Sequence, residues 1–253
     1  MINFFKTLTA LSTVAVLATP SLAGDPEVIH SWNMDVDPGW TMTGEWEWGQ
    51  PLGLGGEIFG LPDPLGGYSG DSAMGMNQAG DYSTEVGGPY ELRTEAIDCS
   101  IIADTQLRFR RWLNIDWQDW VFSYIEVSNN GVDWTQLWTN GSDGEIVESA
   151  WTEHTYDISE VADGESTVYI RWTYEVAVAA WAYSGWNIDD VEILGTVVEC
   201  VGDLNGDGMV NGADVGLMLA GWGTCRNCAA DLNHDGEING ADLGLLLSSW
   251  GSC

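Results

Sequence analysis

Hydrophobic and polar residues alternate in short runs from about residue 24 to residue 197. The clearest run is Val121 to Ser128, which is followed by the turn residues Asn129-Asn130-Gly131 and by a second run, Val132 to Trp138. Alternating runs on both sides of a turn predict a β-hairpin. Further strands are predicted at Thr105 to Trp112, Trp151 to Ile158, Thr167 to Tyr174 and Gly185 to Leu194. The region is mainly β and long enough for one sandwich with a single core.

The end of the chain has a helical period instead. Apolar residues recur at i, i+3, i+4 and i+7 in two stretches that are 28 residues apart. The two stripes are Val215, Met218, Leu219 and Trp222, and Leu243, Leu246, Leu247 and Trp250. Each stripe has an asparagine cap, an aspartate in the capping-box position and a glycine that is predicted to end the helix. These signals are Asn211, Asp214 and Gly223 in the first copy and Asn239, Asp242 and Gly251 in the second.

An acidic twelve-residue loop precedes each predicted helix, DLNGDGMVNGAD at residues 203–214 and DLNHDGEINGAD at residues 231–242. Oxygen donors lie at positions 1, 3, 5, 7, 9 and 12, and a glycine at position 6 allows the sharp turn, as in an EF-hand calcium loop. We therefore predict two bound Ca²⁺ ions. The predicted ligands are Asp203, Asn205, Asp207, Met209 through its carbonyl, Asn211 and Asp214, and in the second loop Asp231, Asn233, Asp235, Glu237, Asn239 and Asp242.

No helix is predicted before either loop, because only Cys200-Val-Gly and Cys228-Ala-Ala precede them. With aspartate closing each loop, residues 198–253 resemble a type I dockerin, and most of all the variant whose repeats end in Gly-x-Cys. The resemblance implies a small α-helical domain that folds around calcium and docks to a cohesin-like or other protein receptor. In dockerins of cellulosomes, loop positions 10 and 11 commonly carry a Ser/Thr pair that helps recognise a cohesin. Here they are Gly212-Ala213 and Gly240-Ala241, so a receptor of another kind stays open.

The N-terminus predicts export. Lys6 precedes an apolar stretch from Leu8 to Ala18, and Ser21-Leu22-Ala23 offers a cleavage site, so residues 1–23 are predicted to be a signal peptide. That stretch is too short to span a membrane, so we expect no membrane insertion. Removing Lys6 leaves six basic residues against 39 acidic ones. Such a charge disfavours nucleic acid and anionic membranes as partners.

Four of the five cysteines follow the 28-residue repeat, so each repeat carries its own pair. We predict the disulfides Cys200–Cys225 and Cys228–Cys253, although four cysteines permit three pairings. A zinc site is the alternative, which the adjacent oxygen-rich loops and the predicted export disfavour. Cys99 lies in an apolar run and is predicted to be a buried structural thiol.

Residues 24–197 also resemble a known group of domains. The segments EWEWGQP, LRFRRW, IEVSNNGVDW, VYIRW and GWNIDDVEI follow one another along the chain. Their order is similar to that of secreted bacterial jelly rolls related to MAM domains. The resemblance implies a jelly-roll β-sandwich, but a fold by itself assigns no activity.

Several residues of the sandwich are candidates for function. Aromatic residues in or near predicted loops can stack on sugar rings, although core packing is the more common use of any one of them. They are Trp46, Trp48, Trp117, Trp120, Trp181 and Tyr183. Asp189 and Asp190 suggest a third calcium site or, alternatively, a hydrogen-bonding cluster at a strand start. Arg108, Arg110, Arg111 and Arg171 are expected to form structural ion pairs.

We predict a secreted or cell-surface-attached, non-catalytic protein, because the sequence contains no recognisable catalytic motif. In this hypothesis the dockerin-like tail docks to a receptor and displays a β-sandwich binding module. Two alternatives stay open: a carbohydrate-binding accessory of a polysaccharide-degrading complex, and a glycoside hydrolase with an unrecognised pair of carboxylates.

Overall fold

A computed structural model of the chain describes residues 26–141, 144–198, 200–225 and 228–252. The predicted signal peptide lies outside these described residues. From residue 27 to residue 197 the chain forms two antiparallel β-sheets, with one short helix, α1, at Ser159–Ala162. A smaller module with two helices follows. None of the helices in the described ranges combines the length and the hydropathy that crossing a bilayer requires.

The larger sheet has seven strands in the order β10-β6-β12-β4-β3, with β1 also on β12 and β9 also on β6. These strands are β1 (Glu27–Trp32), β3 (Trp46–Gly49), β4 (Ala73–Met76), β6 (Ile102–Ile115), β9 (Ile146–Val147), β10 (Thr152–Asp157) and β12 (Gly185–Val197). The smaller sheet has five strands in the order β2-β5-β11-β7-β8. They are β2 (Thr41–Met42), β5 (Gly87–Arg93), β7 (Val121–Ser128), β8 (Thr135–Thr139) and β11 (Tyr169–Val176).

Aromatic side chains join the two sheets through a common core. Trp172 of β11 packs edge-on against Phe109 of β6, with 5.4 Å between ring centroids. Trp138 of β8 packs in the same way on Trp186 of β12, at 5.6 Å. Alternate residues of β6 and β7 are buried, as the sequence pattern requires of strands with one face in the core. The predicted jelly-roll β-sandwich is therefore confirmed.

The predicted hairpin is confirmed as β7 and β8, but β8 begins at Thr135 and not at Val132. Side chains hold the intervening segment as a loop. Asn130 Oδ1 accepts hydrogen bonds from the backbone N–H groups of Val132 and Asp133, both at 2.8 Å. Ser128 Oγ accepts from Gly131 N at 2.9 Å. These local bonds satisfy backbone donors that strand pairing would otherwise use.

The strand arginines form the expected ion pairs. Each lies 2.6–2.8 Å from a glutamate on a neighbouring strand or loop. The pairs are Arg108–Glu192, Arg110–Glu153, Arg111–Glu148 and Arg171–Glu126. Cys99 is buried and unpaired, as predicted, and burial raises the pKa of its thiol to about 12.

A buried carboxyl group lies between β12 and the loop that precedes β4. Asp63 Oδ1 accepts a hydrogen bond from Asn187 Nδ2 at 2.6 Å, while Asp63 Oδ2 has no partner. Removal from water raises the pKa of Asp63 to about 7, and the charge of Asp81 acts in the same direction.

Replacing this carboxyl is expected to change the pH dependence of stability. Above about pH 4 the unfolded chain ionises Asp63, whereas the folded chain keeps the proton until about pH 7, so this group's contribution to stability falls as pH rises between these values. Asp63→Asn should remove that fall and raise the free energy of unfolding of the sandwich by about 1–3 kcal/mol at about pH 8, with little gain at about pH 4.5. Urea unfolding monitored by tryptophan fluorescence measures both values.

The exposed Asp71→Asn is the matched control and should show the wild-type pH dependence. Equal changes for Asp63→Asn at both pH values would contradict a buried, protonated Asp63.

Candidate metal centre

The two C-terminal repeats interlock. The first comprises β13 (Met209–Val210), α2 (Gly212–Ala220) and β14 (Gly223–Thr224), and the second comprises β15 (Glu237–Ile238), α3 (Gly240–Ser248) and β16 (Gly251–Ser252). β13 pairs with β16, and β14 pairs with β15. The acidic loop of each repeat thus forms an antiparallel strand pair with the segment that follows the helix of the other repeat. Neither repeat completes its own strand pair, so the two are expected to fold as one unit.

Both helices begin at the predicted residues. Asn211 Oδ1 accepts a hydrogen bond from Ala213 N at 2.8 Å, and Asp214 Oδ2 accepts from Asn211 N at 2.8 Å. Asn239 and Asp242 make the same two bonds at the start of α3. The capping boxes inferred from the sequence are therefore confirmed.

The predicted helix ends are wrong. α2 ends at Ala220 and α3 at Ser248, and the glycines that were expected to stop them, Gly223 and Gly251, begin β14 and β16. Strand pairing with the other repeat takes these residues out of the helix. A prediction made from the residues of one repeat cannot include this pairing, because the partner strand lies in the other repeat.

Side-chain oxygens organise the first acidic loop. The two oxygens of Asp203 accept hydrogen bonds from Gly206 N and Gly208 N, both at 2.8 Å. Asp214 at position 12 is buried and accepts from Leu204 N at 2.9 Å. Asp207 Oδ1 accepts from Met209 N at 3.0 Å. The carboxylates at positions 1, 5 and 12 are thereby bound to the backbone of one loop.

The second loop repeats this arrangement. Asp231 Oδ2 accepts from Gly236 N at 2.9 Å, Asp235 Oδ1 accepts from Glu237 N at 2.9 Å, and the buried Asp242 accepts from Asn233 N at 3.2 Å. Position 4 lies in the left-handed region in both loops, as Gly206 in the first and His234 in the second. The glycine at position 6 has positive φ in both, which explains why glycine is needed there.

Hydrogen bonding keeps the two buried carboxylates charged. Backbone N–H donors, with that of Asn211 the strongest, lower the pKa of Asp214. The N–H of Asn239 is the main cause of the lowered pKa of Asp242. Both groups are anionic at neutral pH, as ligands of a hard cation must be.

The chemistry of the loops fits calcium. In the first, Asp203, Asn205, Asp207 and Asp214 would supply side-chain oxygens and Met209 its carbonyl; in the second, Asp231, Asn233, Asp235 and Asp242 match them, with the carbonyl of Glu237. Asn211 and Asn239 use their side-chain oxygens as helix caps, so a contact through water fits position 9. Within the described residues, no three acidic, His or Cys side chains are gathered closely enough to hold a metal ion. The ligand sets therefore stay predictions.

The predicted disulfide pairing is wrong. Cys225 is bonded to Cys228, with 6.0 Å between their Cα atoms, so it joins the two repeats and not the ends of one. The interlocked strands explain this, because Cys225 N donates a hydrogen bond to Gly236 O of the second loop at 2.8 Å. Cys200 is disulfide-bonded as well. Cys253, the other predicted partner, lies outside the described residues.

Each helical stripe divides between the core and the surface. Met218 and Leu246 are buried with Val210 and Ile238, and Val215 and Leu243 pack against them. The remaining stripe residues are exposed together with a neighbouring leucine in each repeat. We call these two exposed sets the twin apolar faces: Leu217, Leu219 and Trp222 in the first repeat, and Leu245, Leu247 and Trp250 in the second.

The sequence of this module agrees with a known family. Residues 201–248 match the dockerin type I domain. The matched segment contains both acidic loops, both helices and the Cys225–Cys228 disulfide. The resemblance inferred from the repeated loops is therefore confirmed, and a cohesin-type protein is the partner class that such a domain implies.

The sandwich is similar to several solved structures. A cleaved adhesin domain of Lys-gingipain from Porphyromonas gingivalis is 17% identical, with 67% of this chain and 98% of that chain covered and a TM-score of 0.41. A xylan-binding domain from Paenibacillus barcinonensis is 13% identical, with 69% and 97% covered and a TM-score of 0.36. SGBP-B, from a xyloglucan utilization locus in Bacteroides uniformis, is 12% identical, with 64% and 48% covered and a TM-score of 0.44. No curated protein matches the chain.

The aromatic candidates of the sandwich fall into two groups. Trp46 and Tyr183 are buried in the core, and Trp48 is half-buried and donates a hydrogen bond to Met34 O at 2.8 Å. Trp117, Trp120 and Trp181 are exposed. The sequence did not separate the two groups, because an aromatic residue in or near a strand end can point either into the core or into solvent.

Asp189 and Asp190 bind a neighbouring loop. Asp189 is buried and accepts from Ser69 N at 3.0 Å, and Asp190 Oδ1 accepts from Ser69 Oγ at 2.5 Å. Burial raises the pKa of Asp189 to about 7. These contacts are those of a hydrogen-bonding cluster in β12, and the third calcium site stays a prediction.

Proposed function

We propose that this chain is an exported, non-catalytic docking protein whose dockerin module folds around two calcium ions and attaches the β-sandwich to a cohesin-type receptor. The observation that carries the proposal is the surface of α2 and α3. Each helix contains one charged residue, Asp214 or Asp242, and both are buried. The exposed surface of both helices therefore carries no charge, in a protein whose formal net charge is −32.

An uncharged exposed helix face favours a protein interface. Charged residues are depleted in the cores of interfaces, and contiguous exposed apolar surface marks sites of association. Gly212 and Ala213, at loop positions 10 and 11, are exposed beside this surface, as are Gly240 and Ala241. A glycine followed by an alanine lets a partner backbone approach closely, and it offers apolar contacts where a Ser/Thr pair would offer hydroxyl groups. Recognition is then by shape and apolar contact.

The duplication supports two alternative docking modes. The twin apolar faces occupy equivalent positions in the two repeats, and the repeats share the same strand pairing. A receptor that fits one face should fit the other after a half-turn. One intact face is then sufficient for docking.

Substitutions in the faces test this proposal. Leu217→Asp with Leu219→Asp removes the first face, and Leu245→Asp with Leu247→Asp removes the second. Capture of the full-length chain on immobilised cohesin domains, in calcium, should change by no more than about twofold when one face is lost and should fall by about a hundredfold when both are lost. Capture should also be lost in EGTA.

Val132→Asp, on an exposed residue of the sandwich, is the matched control and should be captured like the wild type. Undiminished capture of the variant that lacks both faces would sink the proposal. Loss of capture from one substituted face alone would show a single docking mode.

The positions of the histidines support the non-catalytic part of the proposal. His30 bonds to Asp98 O at 2.9 Å and His154 bonds to Thr152 Oγ1 at 2.9 Å, while His234 lies in the second calcium loop. Burial, with a contribution from Arg111, lowers the pKa of His154 to about 4, so it is neutral at physiological pH. Hydrolysis of a polysaccharide panel by the purified chain is the test, and turnover of any member would contradict this part.

A further inference from the structure

Three tryptophans are exposed at one end of the sandwich, on the loops that join β6 to β7 and β11 to β12. Trp117 is 47% exposed, Trp120 is 41% exposed and Trp181 is 54% exposed. The strand registers place both loops at the same end, because Val176 pairs with Val121 and Gly185 pairs with Asn114. Exposing three large aromatic side chains in one region is unfavourable in water, so it favours a role in binding.

A buried carboxylate fixes the two loops to each other. Asp116 is 2% exposed, and its two oxygens accept hydrogen bonds from Trp117 N at 2.8 Å and from Trp181 N at 2.7 Å. Trp120 O accepts from Ala177 N at 2.7 Å, and Trp181 O accepts from Tyr82 Oη at 2.9 Å. The backbone of all three tryptophans is therefore held before any ligand arrives, which lowers the entropy lost on binding.

Trp181 is also oriented through its ring. Phe59, from the loop between β3 and β4, stacks on it with 4.3 Å between ring centroids and an angle of 14° between the ring planes. Phe59 covers one face of the indole and leaves the rest of the side chain in solvent. Ala179 lies between Ala177 and Trp181, whose backbone N–H groups make the hydrogen bonds described above, and it has φ of +71°, a strained value for a residue with a side chain. A residue keeps such a strained backbone conformation only where its surroundings hold the loop in place.

The charge around these tryptophans selects the ligand. Asp119 and Glu145 are exposed nearby, and Glu145 accepts a hydrogen bond from the hydroxyl of Tyr183. These groups, like the net charge of −32, repel nucleic acids, anionic lipids and acidic polymers. A sugar ring offers an apolar C–H face to an aromatic plane and hydroxyl donors at its edge to carboxylates. An uncharged sugar polymer is therefore not repelled by the acidic groups, can stack on the indole rings and can donate hydrogen bonds to the carboxylates.

We propose that Trp117, Trp120 and Trp181 form a binding site for an uncharged polysaccharide. This site is separate from the twin apolar faces and needs neither the calcium loops nor a protein receptor. The sandwich could then bind a polysaccharide while the dockerin module is bound to its protein receptor.

Affinity gel electrophoresis of the full-length chain tests the site, with xylan, mixed-linkage β-glucan and galactomannan as the probes. At least one polymer should retard the wild type, in calcium and in EGTA alike. Trp181→Ala and Trp117→Ala should each weaken the retardation by roughly tenfold. Trp134→Ala is the matched control, because Trp134 directly precedes β8, at the end of β7 opposite to Trp117 and Trp120, and this variant should migrate like the wild type.

Three outcomes would overturn the proposal. The first is a wild type that none of the three polymers retards. The second is retardation that persists in the variant lacking all three tryptophans, which would place sugar binding elsewhere. The third is a dimer in sedimentation velocity that Trp181→Ala dissociates, which would show that a second copy of the chain covers these side chains. Persistence of retardation in EGTA separates this site from the docking function.

Discussion

Chelation of calcium is expected to unfold residues 200–252 while the sandwich keeps its strands. α2 and α3 have nine residues each, fewer than an isolated helix needs to be stable in water. Their shared core contains only a few fully buried side chains. Within twelve residues the first loop also holds three carboxylates and the second holds four, and these repel one another without a cation. At a calcium concentration about a thousandfold above Kd, each site would contribute about 4 kcal/mol.

Hydrogen exchange with mass spectrometry measures this effect segment by segment. Peptides that cover α2 and α3 should lose their protection in EGTA, whereas peptides that cover β6, β7 and β11 should not change. Magnesium in place of calcium is the control and should not restore the protection, because Mg²⁺ requires near-ideal octahedral geometry and gives up its water reluctantly. Equal protection of α2 and α3 in EGTA and in calcium would refute the expectation.

Trp172→Ala is expected to cause the largest loss of stability of any single substitution in the sandwich. Trp172 is fully buried in β11, between β5 and β7, and its ring stacks on Trp40 with centroids 5.9 Å apart and meets Phe109 edge-on. Truncation leaves a cavity where the two sheets meet and should lower the free energy of unfolding by about 3–5 kcal/mol. Its indole N–H has no partner, so no hydrogen bond is lost. Urea unfolding of the full chain measures the change.

Trp134→Ala is the matched control. Trp134 is half-buried and lies under the guanidinium of Arg171, 4.0 Å from the ring centroid, so its removal should cost about 1 kcal/mol. Protection of α2 and α3 in calcium should be unaffected by either substitution. A similar loss for both tryptophans would contradict the assignment of Trp172 to the core.

Local patterns were sufficient wherever the structure depends on local contacts. The alternation of Val121–Ser128 sets which side chains of β7 enter the core, and Asn211 and Asn239 cap their helices with bonds to residues two positions away. The same holds for the acidic loops, whose turns depend on Gly208 and Gly236. Such contacts are encoded within a few neighbouring residues, so the sequence predicts them.

Contacts between distant segments account for what the sequence did not predict. All four residues of β4 are buried, so Ala73–Met76 shows no alternation and gives no strand signal. The cysteine repeat suggested pairs within each copy, but the crossed strands bring Cys225 to Cys228. Asp116 joins the two tryptophan loops because it accepts a hydrogen bond from Trp181 N, 65 residues away. The sequence alone does not show that these two residues lie close together.

Native mass spectrometry of the full-length chain tests the central claim most directly, since it counts the calcium ions that the folded protein retains. The wild type should retain two ions in the dockerin module, Asp203→Ala should retain one, and Asp203→Ala combined with Asp231→Ala should retain none there. The exposed Asp71→Asn should retain the wild-type number. A wild type without bound calcium, or a double variant that keeps the full number of ions, would contradict a docking module that folds around these two loops.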